Sequence, residues 1–381
     1  MENTSETRGT LYIAKDHVAP LIEKLGMVRN ELAPLFDYPQ ASVGPALAAD
    51  AWWQGLSDEH QYTYRAALAA IASPQLIVDV GINSRNERLT NTHAVLPSLR
   101  WNDPIFLMAT EKDGTQFRLE YLKQADLFTN TLLLYLQGGV PVFEMEMKFE
   151  IPVRDFAVLL SAVDLRQKLR FRALLDHNVY PTSFKADDIA AALAEAFTFA
   201  DPRWLLPFSL PVLHLRPDSV SPASVRQSLD NLAKAGLMKK DGDTVTLTEP
   251  GEVFAESTSA RISSVGIDTY GVDANGNNGR QSALFIRGEH LLWYAGVSGT
   301  KADTVVVTCI SLELAGGLLK ELFTPVAAPR SGGPAGNVAP PAPSAAAPQV
   351  PAGTPKKFCP SCGKPLKQGL KFCNNCGAKI S

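Results

Sequence analysis

The runs Leu76-Ile-Val-Asp-Val-Gly-Ile82 and Ile262-Ser-Ser-Val-Gly-Ile267 share a Val-Gly-Ile core and decide how the chain divides. Short, apolar, β-branched runs of this kind read as buried strands. Their surroundings agree as well. In the first case Leu56-Ser57 leads into a helix, and the strand is followed by a polar loop, Ala94 to Leu96, Ile105 to Ala109, a turn, Phe117 to Tyr121 and a Leu-rich helix. In the second, Leu247-Thr248 leads into a helix, and the strand is followed by a polar loop, Ser282 to Ile286, Leu291 to Ala295, a turn, Thr304 to Ile310 and a helix from Leu312 to Phe323. Order and spacing match over about 70 residues, the mark of an internal repeat. Identities within the match are few, so two unrelated α+β halves with coincident patterns are the competing reading. The expected fold class is α+β: two quasi-repeated halves, 10–153 and 154–324, each of helices and an antiparallel sheet with a closing helix.

Local signals fill in the halves. Val18, Leu21, Ile22 and Leu25 recur at helical spacing, which predicts a helix over Leu11 to Leu25 and short helices onward to Phe36. Ser57 is an N-cap for a helix over Asp58 to Ala72, with Asp58 and Glu59 in its first turn and Pro74 beyond its end. Val140 to Val153 alternates Phe143, Met145, Met147, Phe149 and Ile151 with Glu144, Glu146, Lys148 and Glu150. That predicts a strand with one wet face, either an ordinary sheet strand or an edge strand offered to a partner chain. Helices are expected over Asp155 to Asp176 and Ala186 to Phe197, broken by the Pro-rich run Pro202 to Pro217.

Ser221-Pro222 then opens a helix with a serine cap and proline at its first position, and Ala235-Gly236 closes it. Leu237-Met-Lys-Lys, the turn Asp241-Gly242 and Thr244-Val-Thr-Leu-Thr follow as a two-stranded wing. The segment 218–257 resembles a winged helix in the form AGL(x)nG(x)nLT(x)₂G. Two quasi-symmetric α+β halves, each with the Val-Gly-Ile strand, a hairpin and a Leu-rich helix, further resemble the chaperones associated with type VII secretion. That resemblance spans about 11–323 and implies a body that binds helical tips of secreted clients and has no catalytic residues.

The chain is 381 residues long, 45% hydrophobic and 20% charged, an ordinary globular composition. Up to Glu321 it carries 29 basic against 39 acidic side chains, net −10, whereas Arg330 and six lysines leave the remainder at +7. An acidic body argues against a nucleic-acid platform. Between Asp218 and Ser257 four basic side chains meet seven acids, so the winged-helix-like segment lacks the phosphate-neutralising charge that DNA affinity needs. The polar N-terminus carries no secretory signal and no run approaches the roughly 18 apolar residues of a membrane span. A cytoplasmic location, with no membrane contact, is expected.

The sharpest chemistry lies at the C-terminal end. A linker over 325–356, rich in Pro, Ala and Gly, reads as disordered, with ends about 30 Å apart. Beyond it, 357–381 contains Cys359, Cys362, Cys373 and Cys376 in two Cys-x-x-Cys pairs, each followed by glycine. Four thiolates able to converge on one point suit a tetrahedral d¹⁰ cation, so these residues are the expected ligands of one structural Zn²⁺. Iron or a redox dithiol are the lesser alternatives. The stretch resembles the short zinc-ribbon family. All four positions are protein ligands, which leaves no open site for catalysis, and two dozen residues rely on the metal to fold. The fifth cysteine, Cys309, reads as a small buried thiol.

No other motif carries a reaction. There is no P-loop, no Gly-x-Ser-x-Gly and no His-Glu-x-x-His, and His17, His60, His93, His177, His214 and His290 are scattered. Asp273 to Gly279 starts like a calcium loop but places Asn278 where glycine is required and Leu284 where glutamate is required. The expectation is a non-enzymatic, chaperone-like cytoplasmic adaptor that binds a protein client through its body. The alternative is a nucleic-acid-binding regulator. An enzyme with a spatially assembled site would require a cleft holding two or more perturbed titratable groups.

Overall fold

The structure, a computed structural model, describes residues 10–33, 36, 38–40, 42–84, 88–96, 105–111, 113–272, 278–297 and 304–323. The chain splits into units 1–329 and 330–381. The expected linker and zinc ribbon, including Cys359, Cys362, Cys373 and Cys376, lie outside the described residues, as does the loop 273–277.

The first stretch runs β1 (Thr10–Ala14), α1 (Lys15–Lys24), α2 (Val43–Gln54), α3 (Asp58–Ala72), β2 (Leu76–Ser84), β3 (Arg88–Leu96), β4 (Ile105–Thr110), β5 (Gln116–Leu122) and α4 (Ala125–Gln137). It continues as β6 (Lys148–Pro152), α5 (Val153–Leu175), β7 (Ser183–Lys185), α6 (Ala186–Thr198), α7 (Leu205–Leu213), α8 (Pro222–Lys234), β8 (Met238–Asp241), β9 (Thr244–Leu247) and α9 (Glu249–Ser259). Last come β10 (Ser263–Val272), β11 (Asn278–Arg287), β12 (Leu292–Val297), β13 (Thr304–Cys309) and α10 (Leu312–Leu322). The fold is α+β.

Ten strands form one antiparallel sheet in the order β1-β5-β4-β3-β2-β10-β11-β12-β13-β6. The two Val-Gly-Ile runs lie side by side at its centre, where β2 and β10 pair from Leu76 with Gly271 to Ser84 with Ser263. Outward from that joint each side reads as four hairpin-connected strands and then the strand that opens its own stretch of chain. Alternation sorts the side chains. Val78, Val80 and Ile82 of β2, with Val265 and Ile267 of β10, pack under Leu132 and Leu136 of α4 and Leu319 of α10. The opposite face is split: α1 to α3 cover one side, against Ile13, Ile77 and Phe117, while α5 to α9 cover the other, against Trp293 and Val305.

Several expectations change. Leu11 to Leu25 is not one helix, because Thr10 to Ala14 pairs with Gln116 to Glu120 and the helix begins only at Lys15. The helical spacing starts only at Val18, while Leu11 and Ile13 alternate as a strand does, against a partner about a hundred residues away. Val140 to Val153 is not one strand either. Only Lys148–Pro152 is strand, Val153 opens α5, and β6 pairs with β13 on the far side of the sheet from β1. The boundary drawn at 153 therefore falls after a strand that belongs to the second set. Helix α2 was not expected. Neither was α7, inside the Pro-rich run: Pro207 sits in its first turn, where a missing N–H is harmless, and the Asp164 carboxylate accepts from the amides of Leu205 at 3.0 Å and Leu206 at 2.8 Å.

Other local readings hold. The Ser57 hydroxyl accepts from the His60 amide at 3.3 Å. Ser221 and Ser224 form a reciprocal capping box on α8, and Gly236 ends it at φ +73°. After α8, β9 pairs with β8 on one side and β7 on the other in a three-stranded sheet. Buried Arg166 of α5 donates to Glu252 at 2.8 Å, pairs with Glu256 and faces the Tyr180 ring, tying α5 to α9.

Candidate functional site

The joint between the two sets of strands carries the densest polar cluster. Register places His93, Asp79, Asp268 and Ser282 in one row across β3, β2, β10 and β11. Two aspartates thus stand directly opposite each other, an arrangement that repels unless each is compensated. They are compensated differently. Asp268, nearly buried, accepts from Tyr270 Oη at 2.5 Å, Arg280 Nη2 at 2.7 Å and Nε at 3.0 Å, and Ser282 Oγ at 2.7 Å, and His214 Nε2 lies 2.8 Å away. Asp79 pairs through Oδ1 with His93 Nδ1.

These contacts shift Asp268 and Tyr270. Burial works to raise the Asp268 carboxyl, but the bonds from His214, Tyr270 and Ser282 outweigh it and hold that carboxyl below its ordinary value. Burial, and then the neighbouring carboxylate, push the Tyr270 phenol well above its ordinary value. Arg280 also lies over the Tyr270 ring, 4.9 Å from its centroid.

Above this row sits α7. It can approach because Gly81 and Gly266 have no side chains: a Cβ on Gly81 would touch Phe208 at 3.6 Å, and one on Gly266 would press Val212 at 2.8 Å. A bond from the Asn83 amide to the Pro202 carbonyl holds the lead-in to α7 on β2. Beside α7 remains a cleft of about 390 Å³, floored by Asp79, His93, Gly266, Asp268 and Tyr270. Its walls come from Pro202, Pro207, Phe208, Pro211 and Val212. His214 ends α7 in the left-handed region, φ +51°, which turns its ring back toward Asp268.

Ser282, His214 and Asp268 stand together, yet these three do not form a relay. His214 meets both Asp268 and Ser282 with the same nitrogen, Nε2, and Ser282 gives its proton directly to Asp268. A general base needs one ring nitrogen for the nucleophile and the other for the carboxylate.

A second feature lies at the β6 end. Before β6 the chain crosses from α4 as an unladdered stretch. The Phe143 amide donates to the His290 carbonyl at 2.8 Å and its ring stacks on His290 at 5.3 Å, and Cys309 N donates to the Met147 carbonyl at 3.0 Å. Between this stretch, β13 and the start of α10 runs an open groove of about 630 Å³, lined by Met145, Met147, Cys309, Ile310 and Leu314. Glu144 and Glu146 stand exposed beside it. Phe143 is 56% and Leu314 51% exposed. Cys309 is half-buried rather than fully buried, and burial pushes its thiol up.

The winged-helix-like segment offers less free charge than its sequence carries. Arg226 pairs with Asp187 at 2.7 Å and Lys240 with Asp230 at 2.6 Å. No group of three or more His, Cys, Asp or Glu among the described residues could hold a metal ion. No helix among them is long and apolar enough to cross a membrane.

Sequence reading missed the joint cluster, since His93 and His214 are 121 positions apart and gain meaning only through register. One signal was present: Asp79 interrupts an otherwise apolar buried strand, and a charge there needs a partner.

The chain matches a zinc-ribbon domain model over residues 358–380, a span that includes Cys359, Cys362, Cys373 and Cys376. No curated protein matches it. Among solved structures it is similar to the type VII secretion system chaperone EspG5 of Mycobacterium tuberculosis, determined in complex with the PE25–PPE41 dimer. The identity is 9%, the match covers 84% of this chain and 98% of that one, and the TM-score is 0.39. The matched domain is the family that residues 357–381 resemble.

Proposed function

We propose that the chain is a non-enzymatic, cytoplasmic, zinc-binding adaptor of chaperone-like character, whose α+β body binds a protein client while its zinc ribbon makes a further contact. The groove beside β6 carries this reading. Methionines are flexible and polarizable and adapt to varied partner surfaces, and an apolar stripe left open beside a sheet edge is a surface to be covered. Glu144 and Glu146 at its rim outnumber the one lysine there, Lys148, and on a body of net −10 they favour a client segment that is amphipathic and basic. The donor chemistry of Cys359, Cys362, Cys373 and Cys376, four thiolates with no open position, suits one structural zinc ion.

A nucleic-acid role draws no support from α8 and its wing, whose Arg226 and Lys240 already face carboxylates. Catalysis draws none from His214, whose Nε2 meets both Asp268 and Ser282.

The test is site-specific crosslinking in the full chain. A photoreactive residue at Met145 is expected to capture a basic amphipathic segment of another protein, whereas the same residue at Tyr62 is not, and the double change M145D/M147D should abolish recovery of that protein. Capture of the chain's own residues 330–381 from position 145, or equal capture from both positions, would overturn the client reading.

A further inference from the structure

The two aspartates at the sheet joint are unequally served. Around Asp268 both oxygens are taken, and Arg280 supplies a fixed positive charge. Among the described residues Asp79 has only the His93 imidazole, and that on a single oxygen, Oδ1. Its side chain is 39% exposed and opens into the 390 Å³ cleft. That volume falls in the range of small-molecule sites, about 300–1,000 Å³. The walls are apolar, three prolines with Phe208 and Val212, so the carboxylate lies at the foot of an oily pocket. Such surroundings strengthen a charge pair that forms there.

We propose that this cleft binds an organic monocation, a primary ammonium group on a small apolar body. Its nitrogen donates to Asp79 and its body lies along Phe208. The polarity follows from the fixed charges: two carboxylates and one guanidinium meet at the joint, the guanidinium is at Asp268, and Asp79 has only an imidazole on one oxygen. An anion would meet two carboxylates, and a neutral apolar molecule would desolvate Asp79 while offering nothing to its second oxygen. A cation in this position also relieves the repulsion between opposed aspartates across β2 and β10, so its binding stabilises the joint between the two sets of strands. The ammonium group belongs either to a free amine or to a lysine side chain presented by another protein, and the chemistry of recognition is the same.

Isothermal titration of the full chain tests this at pH 8, above the range in which an imidazole ordinarily takes up a proton. The probes are 2-phenylethylammonium, its neutral counterpart 2-phenylethanol, and N-acetyl-lysinamide. The phenylethylammonium ion is expected to bind about 10-fold or more tighter than the alcohol, the share of a charge-assisted hydrogen bond, and to raise the melting temperature of the chain. D79N should erase that preference, and F208L should weaken both aromatic probes while leaving the preference intact. Tighter binding of N-acetyl-lysinamide than of the aromatic amine assigns the ammonium to a protein side chain; the reverse assigns it to a free amine. Equal affinity for amine and alcohol, or an unchanged preference in D79N, would overturn the proposal.

Discussion

Gly81 and Gly266, the glycines of the two Val-Gly-Ile runs, stand directly opposite one another in the β2–β10 pair. An antiparallel pairing that sets equivalent residues face to face has a local two-fold axis close to that pair. The strand order on either side is mirrored about the same place. The helix above does not obey the symmetry, since α7 leans on Gly266 harder than on Gly81.

The two glycines should therefore differ in what they tolerate. Alanine at 266 places a methyl 2.8 Å from Val212 Cγ2 and must shift α7, for a loss of about 1–3 kcal/mol. Alanine at 81 makes ordinary contact with Phe208 at 3.6 Å and restricts the unfolded chain, so G81A should lie within about 1 kcal/mol of the parent, on the stable side. Denaturant unfolding of both variants measures the difference. Equal effects would remove the account of α7 seating on the joint.

Gly251 closes the winged-helix-like pattern for a different reason. A Cβ there would fall far inside van der Waals contact with the Leu237 carbonyl oxygen, which already accepts from Thr248 N at 3.1 Å. The obstacle is backbone, which has nowhere to go. G251A is expected to lose about 3 kcal/mol, more than any Gly-to-Ala change at the exposed Gly44 of α2, where nothing lies within 4 Å. A loss below about 1 kcal/mol in denaturant unfolding would contradict the packing of α9 on the strand before it.

Asp164 gives the fold a pH dependence with a definite sign. Burial pushes its carboxyl up to about 6, against the amides of Leu206 and Leu205 and the nearby Arg261 and Lys168, all of which favour the charged form. An acid held higher in the folded than in the unfolded state, where about 3.9 is ordinary, takes up a proton on folding between the two values. Its contribution is present below about pH 4 and is lost as pH rises through 6, a change on the order of 2–3 kcal/mol. Stability of the parent minus that of D164N should fall by that order from pH 4 to pH 7. A difference that is flat, or that rises, would show the carboxyl to be ionised throughout.

Zinc should follow the cysteines. Purified full chain is expected to hold one zinc ion, and C359S or C376S should hold none, since three thiolates no longer close the tetrahedron. Metal analysis decides it. Full zinc retained by both variants would rule out the four-cysteine site.

Legibility in the sequence followed the range of the interactions involved. Capped helices such as α3 and α8 were readable because Ser57 and Ser221 act within one turn. Helix α7 was not, because the group that satisfies its first amides, Asp164, lies 41 positions away from Leu205 and the prolines alone argue against a helix. Likewise β1 is too short to stand apart from the helix that follows it until β5, about a hundred positions away, pairs with it.

By itself the sequence determined the α+β class and the likeness of its last residues to a zinc ribbon. Each of these rests on periodicity or spacing along the chain. Only tertiary structure decided that the two Val-Gly-Ile runs meet, that His93, Asp79, Asp268 and Ser282 line one row, and that β6 ends the sheet beside a methionine-lined groove. Register between strands comes from packing that no single segment contains, and the cleft and the groove are products of that register.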